Sequence, residues 1–129
     1  MATHTLTLGV DGSGVNRDIK IANTQVGVSL LDKELVATAE TDFEVGFELD
    51  VSACKSFYLL SSQDVLFETN AIDATGGTAI SLLAGIPYVW HVNAYDSFLF
   101  TDDIAVAYVT NASGETAQID CVALYDASP

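Results

Sequence analysis

Apolar and polar residues alternate with a period of two along most of this chain, and almost nowhere with the three-to-four spacing of a long amphipathic helix. The clearest run is 43–51. Phe43, Val45, Phe47, Leu49 and Val51 fall on one side, and Glu44, Gly46, Glu48 and Asp50 on the other. That pattern predicts a strand with one face on a core and one in water. Its register is well specified, because a one-residue shift would bury Glu44, Glu48 and Asp50. The opening repeats the theme: His4, Leu6, Leu8 and Val10 alternate with Thr3, Thr5 and Thr7 before a turn at Asp11-Gly12-Ser13-Gly14. Residues 17–23 read as a short edge-type strand, with Ile19 and Ile21 against Asp18 and Lys20. Val26, Val28 and Leu30 continue the alternation, and 35–39 reads as a strand rather than a helical turn.

The stretch 56–91 is built from shorter apolar runs. Phe57-Tyr58-Leu59-Leu60 and Val65-Leu66-Phe67 are joined by the polar Ser61-Ser62-Gln63-Asp64. A turn-rich 70–77 follows, then a run over 78–83, a break at Ala84-Gly85, and a short run near Pro87 that ends on Trp90. Beyond it, 95–101 places Phe98 and Phe100 on one face, and Asp102-Asp103 makes a turn. A strand over 104–110 leads to Asn111-Ala112-Ser113-Gly114, read as a hairpin loop. In the closing strand, 117–125, Ile119, Cys121 and Ala123 oppose Gln118, Asp120 and Val122, and Leu124 on the outer face predicts cover on both sides. About eight to ten short strands with dense turn signals and no helix predict an all-β chain, a two-sheet β-sandwich or small barrel. The chain is read as a single domain over 1–129, with 1–16 as an extended N-terminal strand or arm.

Charge sharpens this picture. The chain is 50% apolar with positive mean hydropathy, yet it carries 18 acids against four bases, a net charge of -14. A dense core of Ala and Val runs accounts for the apolar surplus, and a face buried against a partner is the alternative. Arg17, Lys20, Lys33 and Lys55 are all the bases there are, and none lies beyond residue 55. With no Lys/Arg cluster to meet phosphates, neither nucleic acid nor an anionic membrane is an expected partner. No stretch has the length of a membrane span. The first residues lack the basic and apolar regions of a secretory signal, so synthesis in a cytoplasm and reduced core thiols at Cys54 and Cys121 are expected. The sequon at Asn111-Ala112-Ser113 has meaning only in a secreted chain.

Candidate chemistry is thin. His4 sits near the start of the chain, and His91 reads as a strand-end residue hydrogen-bonded to backbone. No nucleophile-elbow motif accompanies them. The two cysteines lack zinc-ligand spacing. Asp102-Asp103 reads as a solvated turn, with Ca2+ ligation the alternative. Gly9, Gly12 and Gly14 fail the dinucleotide fingerprint because Arg17 occupies the third glycine position. No catalytic, cofactor or metal site is expected.

Three runs carry a resemblance: FYLLSSQDVLFETN, ISLLAGIPYVW and AVAYVTNASGETAQIDCVALYD. In their order, the span 56–126 resembles the small head-decoration (cement) proteins of tailed bacteriophages, encoded beside the major capsid protein. A strand enters a Ser-Gln-Asp turn, a second ends in Glu-Thr-Asn, a Leu-x-Ala-Gly-x-Pro corner precedes an aromatic strand, and a closing hairpin turns at Asn-x-Ser-Gly. The resemblance implies a jelly-roll-like sandwich bound to the outside of an icosahedral shell, resisting internal DNA pressure. It implies no enzyme and no cofactor. The major capsid protein is the implied partner, with room for a homo-oligomer on the shell, and the implied location is the capsid exterior after synthesis in the host cytoplasm. Candidate shell contacts are Thr3, Thr5 and Thr7 on the N-terminal strand, Asp11 in the glycine loop, and the basic Arg17 and Lys20. One alternative is another virion β-module, a tail, fibre or adhesin head with a glycan- or receptor-binding face. A small β-sandwich enzyme or ligand carrier would require a polar pocket.

Overall fold

The alternating segments become strands in a computed structural model that describes residues 2–10, 19–72 and 77–126. Among these residues the strands are β1 (Ala2–Val10), β2 (Ile19–Val36), β3 (Glu40–Val45), β4 (Cys54–Ser61), β5 (Val65–Thr69), β6 (Ala79–Leu82), β7 (Tyr88–His91), β8 (Ala107–Asn111) and β9 (Ala117–Tyr125). They form two antiparallel sheets, ordered β1-β2-β9-β4-β7 and β3-β8-β5-β6. The buried faces of the two sheets meet in one core, so the protein is an all-β two-sheet sandwich.

The pairing is nested. β5 pairs with β6, β4 with β7, β3 with β8 and β2 with β9, all antiparallel. The chain is a long folded-back ribbon, rolled so that β9 also meets β4 and β8 also meets β5. Apart from β1–β2, only β5–β6 joins consecutive strands within one sheet, and every other connection crosses between sheets.

That topology corrects the hairpin expected at 111–114. β8 pairs with β3 and β5 while β9 pairs with β2 and β4, so this turn carries the chain from one sheet to the other. The local signal was sound: Asn111 Oδ1 accepts the Ser113 amide at 3.1 Å, an Asx turn. Such a turn reverses the chain without deciding which strands pair.

Other boundaries move for identifiable reasons. Of the three short segments expected over 17–39, the part at 19–36 fuses into β2, which stops at Val36 before a turn with Ala39 at φ 61. The 43–51 pattern outlasts its ladder. β3 ends at Val45, yet Phe47 and Leu49 remain buried and Glu48 and Asp50 exposed. Leu49 and Ile104 exchange 2.9 Å backbone bonds as an isolated bridge, and the chain then enters a 3-10 turn over Val51–Ala53 capped by Asp50. The 95–101 segment is not a strand. Phe98 and Phe100 do turn inward, but side chains take the place of a ladder: Trp90 Nε1 donates to the Asp96 oxygen at 3.1 Å, and Tyr88 Oη accepts the Leu99 amide at 3.0 Å.

Phe57 of β4 sits at the centre of the aromatic core. It meets Phe47, Tyr88, Phe98 and Phe100 at ring-centroid distances of 5.2–6.2 Å, mostly tilted or edge-on, and Trp90 stacks on Phe98 at 4.4 Å. Gly77 shows how tightly the β5–β6 end is drawn in. A Cβ there would lie 1.6 Å from the Thr69 oxygen, so only glycine fits.

Candidate partner-binding surface

The long strand β2 serves two neighbours in succession. Its first half, 19–27, pairs with β1 from Ala2↔Gly27 to Val10↔Ile19, and its second half, 28–36, pairs with β9 from Val28↔Tyr125 to Val36↔Ala117. β1 and the first half of β2 therefore form a two-stranded ribbon nine pairs long beside the sandwich. Gly27 marks the handover, where a Cβ would fall 2.4 Å from the Tyr125 oxygen. Lys55 fastens the ribbon base by donating to the Val26 oxygen at 3.1 Å, with the Asp126 carboxylate 4.0 Å away.

One ribbon face lies against the five-stranded sheet. Ser29, Leu124 and Ser56 stand directly opposite one another across β2, β9 and β4, on the sheet's outer side. The His4 imidazole spans them, with Nε2 3.0 Å from Ser29 Oγ and Nδ1 3.0 Å from Ser56 Oγ. Leu124 beneath is fully buried (0%), which is the two-sided cover expected for it. Serine hydroxyls both donate and accept, so this bridge is satisfied whichever nitrogen carries the proton. Leu6, Tyr58 and Val122 help to line the adjoining groove of about 320 Å3.

The other ribbon face is open. Thr3, Thr5 and Thr7 are exposed, and Thr5 Oγ1 meets Thr24 Oγ1 across the ribbon at 3.0 Å. Of the candidate contacts read from sequence, these three share one face of one edge strand. Lys20 pairs with Gly9 in the same ribbon. Asp11 and Arg17 lie outside the described residues. The sequence reading missed two exposed apolar sets, one on β2 and one around β7. Leu31 and Leu35 of β2 are 73% and 64% exposed, and Leu83, Ile86, Val89, Val92, Tyr95 and Leu99 are also exposed around β7. The doublets Leu30-Leu31 and Leu35-Val36 held the clue, since adjacent apolar residues on a strand put one on each face.

His91, Cys54, Cys121, Asp50 and Asp103 are each engaged in the fold. His91 Nδ1 accepts the Asn93 amide at 3.3 Å, at the end of its strand. Cys54 and Cys121 are buried free thiols. Burial pushes Cys54 up to about 12 and raises Cys121 as well, with Asp32 adding to the latter, so neither is a ready thiolate. Glu48, Asp50 and Asp103 line an open groove of about 550 Å3 with Leu30 and Tyr125. Asp50 Oδ1 accepts both the amide and the hydroxyl of Ser52, and chiefly that hydroxyl bond holds its carboxyl below the ordinary 3.8. Asp103 Oδ1 accepts the Val51 amide at 2.9 Å. Among the described residues no group of three or more His, Cys, Asp or Glu could hold a metal ion.

Fold and surface together define an antiparallel β-sandwich with an appended ribbon. No family model, curated protein or solved structure matches the chain.

Proposed function

We propose that this protein is a structural, non-enzymatic component of a tailed-phage virion that binds the outside of the icosahedral shell, with the major capsid protein as partner. The four nested strand pairs read as a jelly roll extended by β1. Support from sequence comes from the order of elements over 56–126, with the 111–114 turn set aside because it links two sheets.

The observation that carries the reading is the β1–β2 ribbon. β1 ends its sheet, so its outer edge offers backbone donors and acceptors to an added strand, flanked by exposed Thr3, Thr5 and Thr7. Charge orients the molecule in the same sense. β3, β5, β6 and β8 contain no Lys or Arg, and β3 contributes Glu40, Asp42 and Glu44. Lys20 and Lys33 belong to β2, and Lys55 to β4. The ribbon end then meets the shell while the anionic four-stranded sheet faces water and repels other free subunits. Contacts of this kind are individually weak and are repeated over many sites.

The test is sedimentation of purified protein with undecorated heads of the source virus. The expected result is co-sedimentation of the full chain and loss of binding for Thr5→Glu/Thr7→Glu, with circular dichroism showing that the variant is folded. If the full chain stays in the supernatant, the reading fails. If the variant binds as well as the parent, the shell contact lies elsewhere than on the ribbon.

A further inference from the structure

The edge of the sandwich formed by β6 and β7 differs from the rest of the surface. Residues 74–95 contain no Asp, Glu, Lys or Arg, in a chain of net charge -14. β6 and β7 lie in this span, and each ends its sheet. Among the described residues β7 pairs with β4 alone, from Ser56↔His91 to Leu59↔Tyr88, and no described strand lies along its outer backbone edge. Pro87 stands just before the strand, so all four β7 residues keep their amides.

Large apolar side chains crowd the same edge. Leu83 and Ile86 flank one end of β7, Val92 and Tyr95 the other, and Val89 lies between them on the outer face. The tight corner at 83–86, with the Ile86 amide bonded to the Leu83 oxygen at 3.0 Å and Gly85 at φ 75, holds Leu83 and Ile86 outward. Tyr95 is 109% exposed. It sits in a segment that the Trp90–Asp96 and Tyr88–Leu99 bonds fix from within, so it is presented on an ordered support. Such an apolar patch on an otherwise acidic surface is the signature of an interface.

We propose that the β6–β7 edge docks a second copy of this chain, with β7 pairing antiparallel to the β7 of its twofold mate. The charge pattern selects the occupant. A strongly acidic molecule can approach its own copy most closely where charge is thin, and the β6–β7 edge carries none on its own strands, with Asp64, bonded to the Ala84 amide, and Asp96 at its margins. A twofold axis through β7 is self-complementary: two five-stranded sheets join into one, and Tyr95 and Val92 of each copy reach toward the Leu83 and Ile86 corner of the other. The dimer leaves free the ribbon and the β3 side of the anionic sheet. This inference does not depend on the shell-binding proposal, and either can fail alone.

Sedimentation equilibrium of the full chain tests it, with hydrogen exchange at β7 as a second readout. The expected result is a dimer at about 100 µM. Its association should strengthen severalfold as salt screens the like charges, opposite to the response of an interface held by ion pairs. Val92→Glu/Tyr95→Glu, with both changes at exposed positions, should weaken association at least tenfold while leaving the circular dichroism unchanged; Leu83→Glu serves as an independent probe at the other end of the edge. Exchange at the β7 amides should slow as concentration rises. A parent chain that stays monomeric at about 100 µM overturns the proposal. So does a trimer, a dimer insensitive to both sets of substitutions, or β7 exchange independent of concentration.

Discussion

The side-chain amide of Asn111 donates to the main-chain oxygen of Val36, 75 positions earlier, at 3.0 Å. The same nitrogen serves the oxygens of Ala37 and Glu115, at 3.2 and 2.8 Å. Oδ1 meanwhile accepts the amide and hydroxyl of Ser113. One fully buried side chain (0%) thus ties the end of β2, the end of β8 and the inter-sheet turn together. The sequon nitrogen is consumed by this network.

Asn111→Ala should therefore destabilise the protein by about 3 kcal/mol or more, because it strands the buried Val36 oxygen and removes the part-buried bonds to Ala37, Glu115 and Ser113 at once. Urea unfolding monitored by Trp90 fluorescence measures the loss. A change below about 0.5 kcal/mol, the size of an ordinary surface substitution, would show that the network is dispensable.

Phe47→Asp should prevent folding. It sets a charge among Phe57, Val45 and Leu49, at a cost of several kcal/mol against a typical total of about 5–15. Glu48→Ala, one residue along and exposed, should be nearly silent. Thermal melts of the two variants check the assignment of faces.

These two residues also show what could be read in the chain. Alternation over 43–51 and 117–125 assigns inward and outward side chains correctly, because burial has a period of two whether or not a ladder forms. Strand partners are another matter. Asn111-Ala112-Ser113-Gly114 has hairpin chemistry, yet Asn111 bonds to carbonyls 75 and 74 positions away, and no local signal encodes that. Phe98 and Phe100 were legible as inward, while the lost strand around them depends on Tyr88 and Trp90 meeting the backbone of 96–99. At the candidate surface, the period of β1 exposes Thr3, Thr5 and Thr7. The lodging of His4 over Leu124 could not be read, because it requires knowing that β9 lies between β2 and β4.

His4→Ala should loosen the ribbon without unfolding the sandwich. Two hydrogen bonds and the cover over Leu124 are lost, at a cost of about 1–2 kcal/mol. Hydrogen exchange should quicken at the amides of β1 and 19–27 and stay unchanged at β8. Uniform acceleration throughout would mean that the ribbon and sandwich unfold as one unit.

The buried thiols give stability a defined alkaline limit. Cys54 is raised from an ordinary 9.0 to about 12 and Cys121 is raised too, so the folded state holds these protons where the unfolded chain releases them. Their contribution is whole below about pH 9 and is lost as pH rises toward about 12. The urea midpoint should fall across that window, and fall less steeply for Cys54→Ala/Cys121→Ala. Thiol labelling should be slow in buffer and reach both cysteines in denaturant.

The position of β9 dictates the order in which this protein can be completed. It lies between β2 and β4, pairing with both along nearly its whole length, so neither neighbour has its central partner until residues 117–125 exist. A chain emerging from the ribosome can hold the ribbon and the β5–β6 hairpin early, since their pairings are local. The five-stranded sheet closes only when β9 slides into the open slot, after the other eight described strands have been made. Loop-closure entropy makes that last insertion slow relative to the hairpins. Until it happens, Phe57 and Leu59 of β4 line an unfinished sheet, and the nascent protein carries its sticky interior face longer than a simple up-and-down β-protein would.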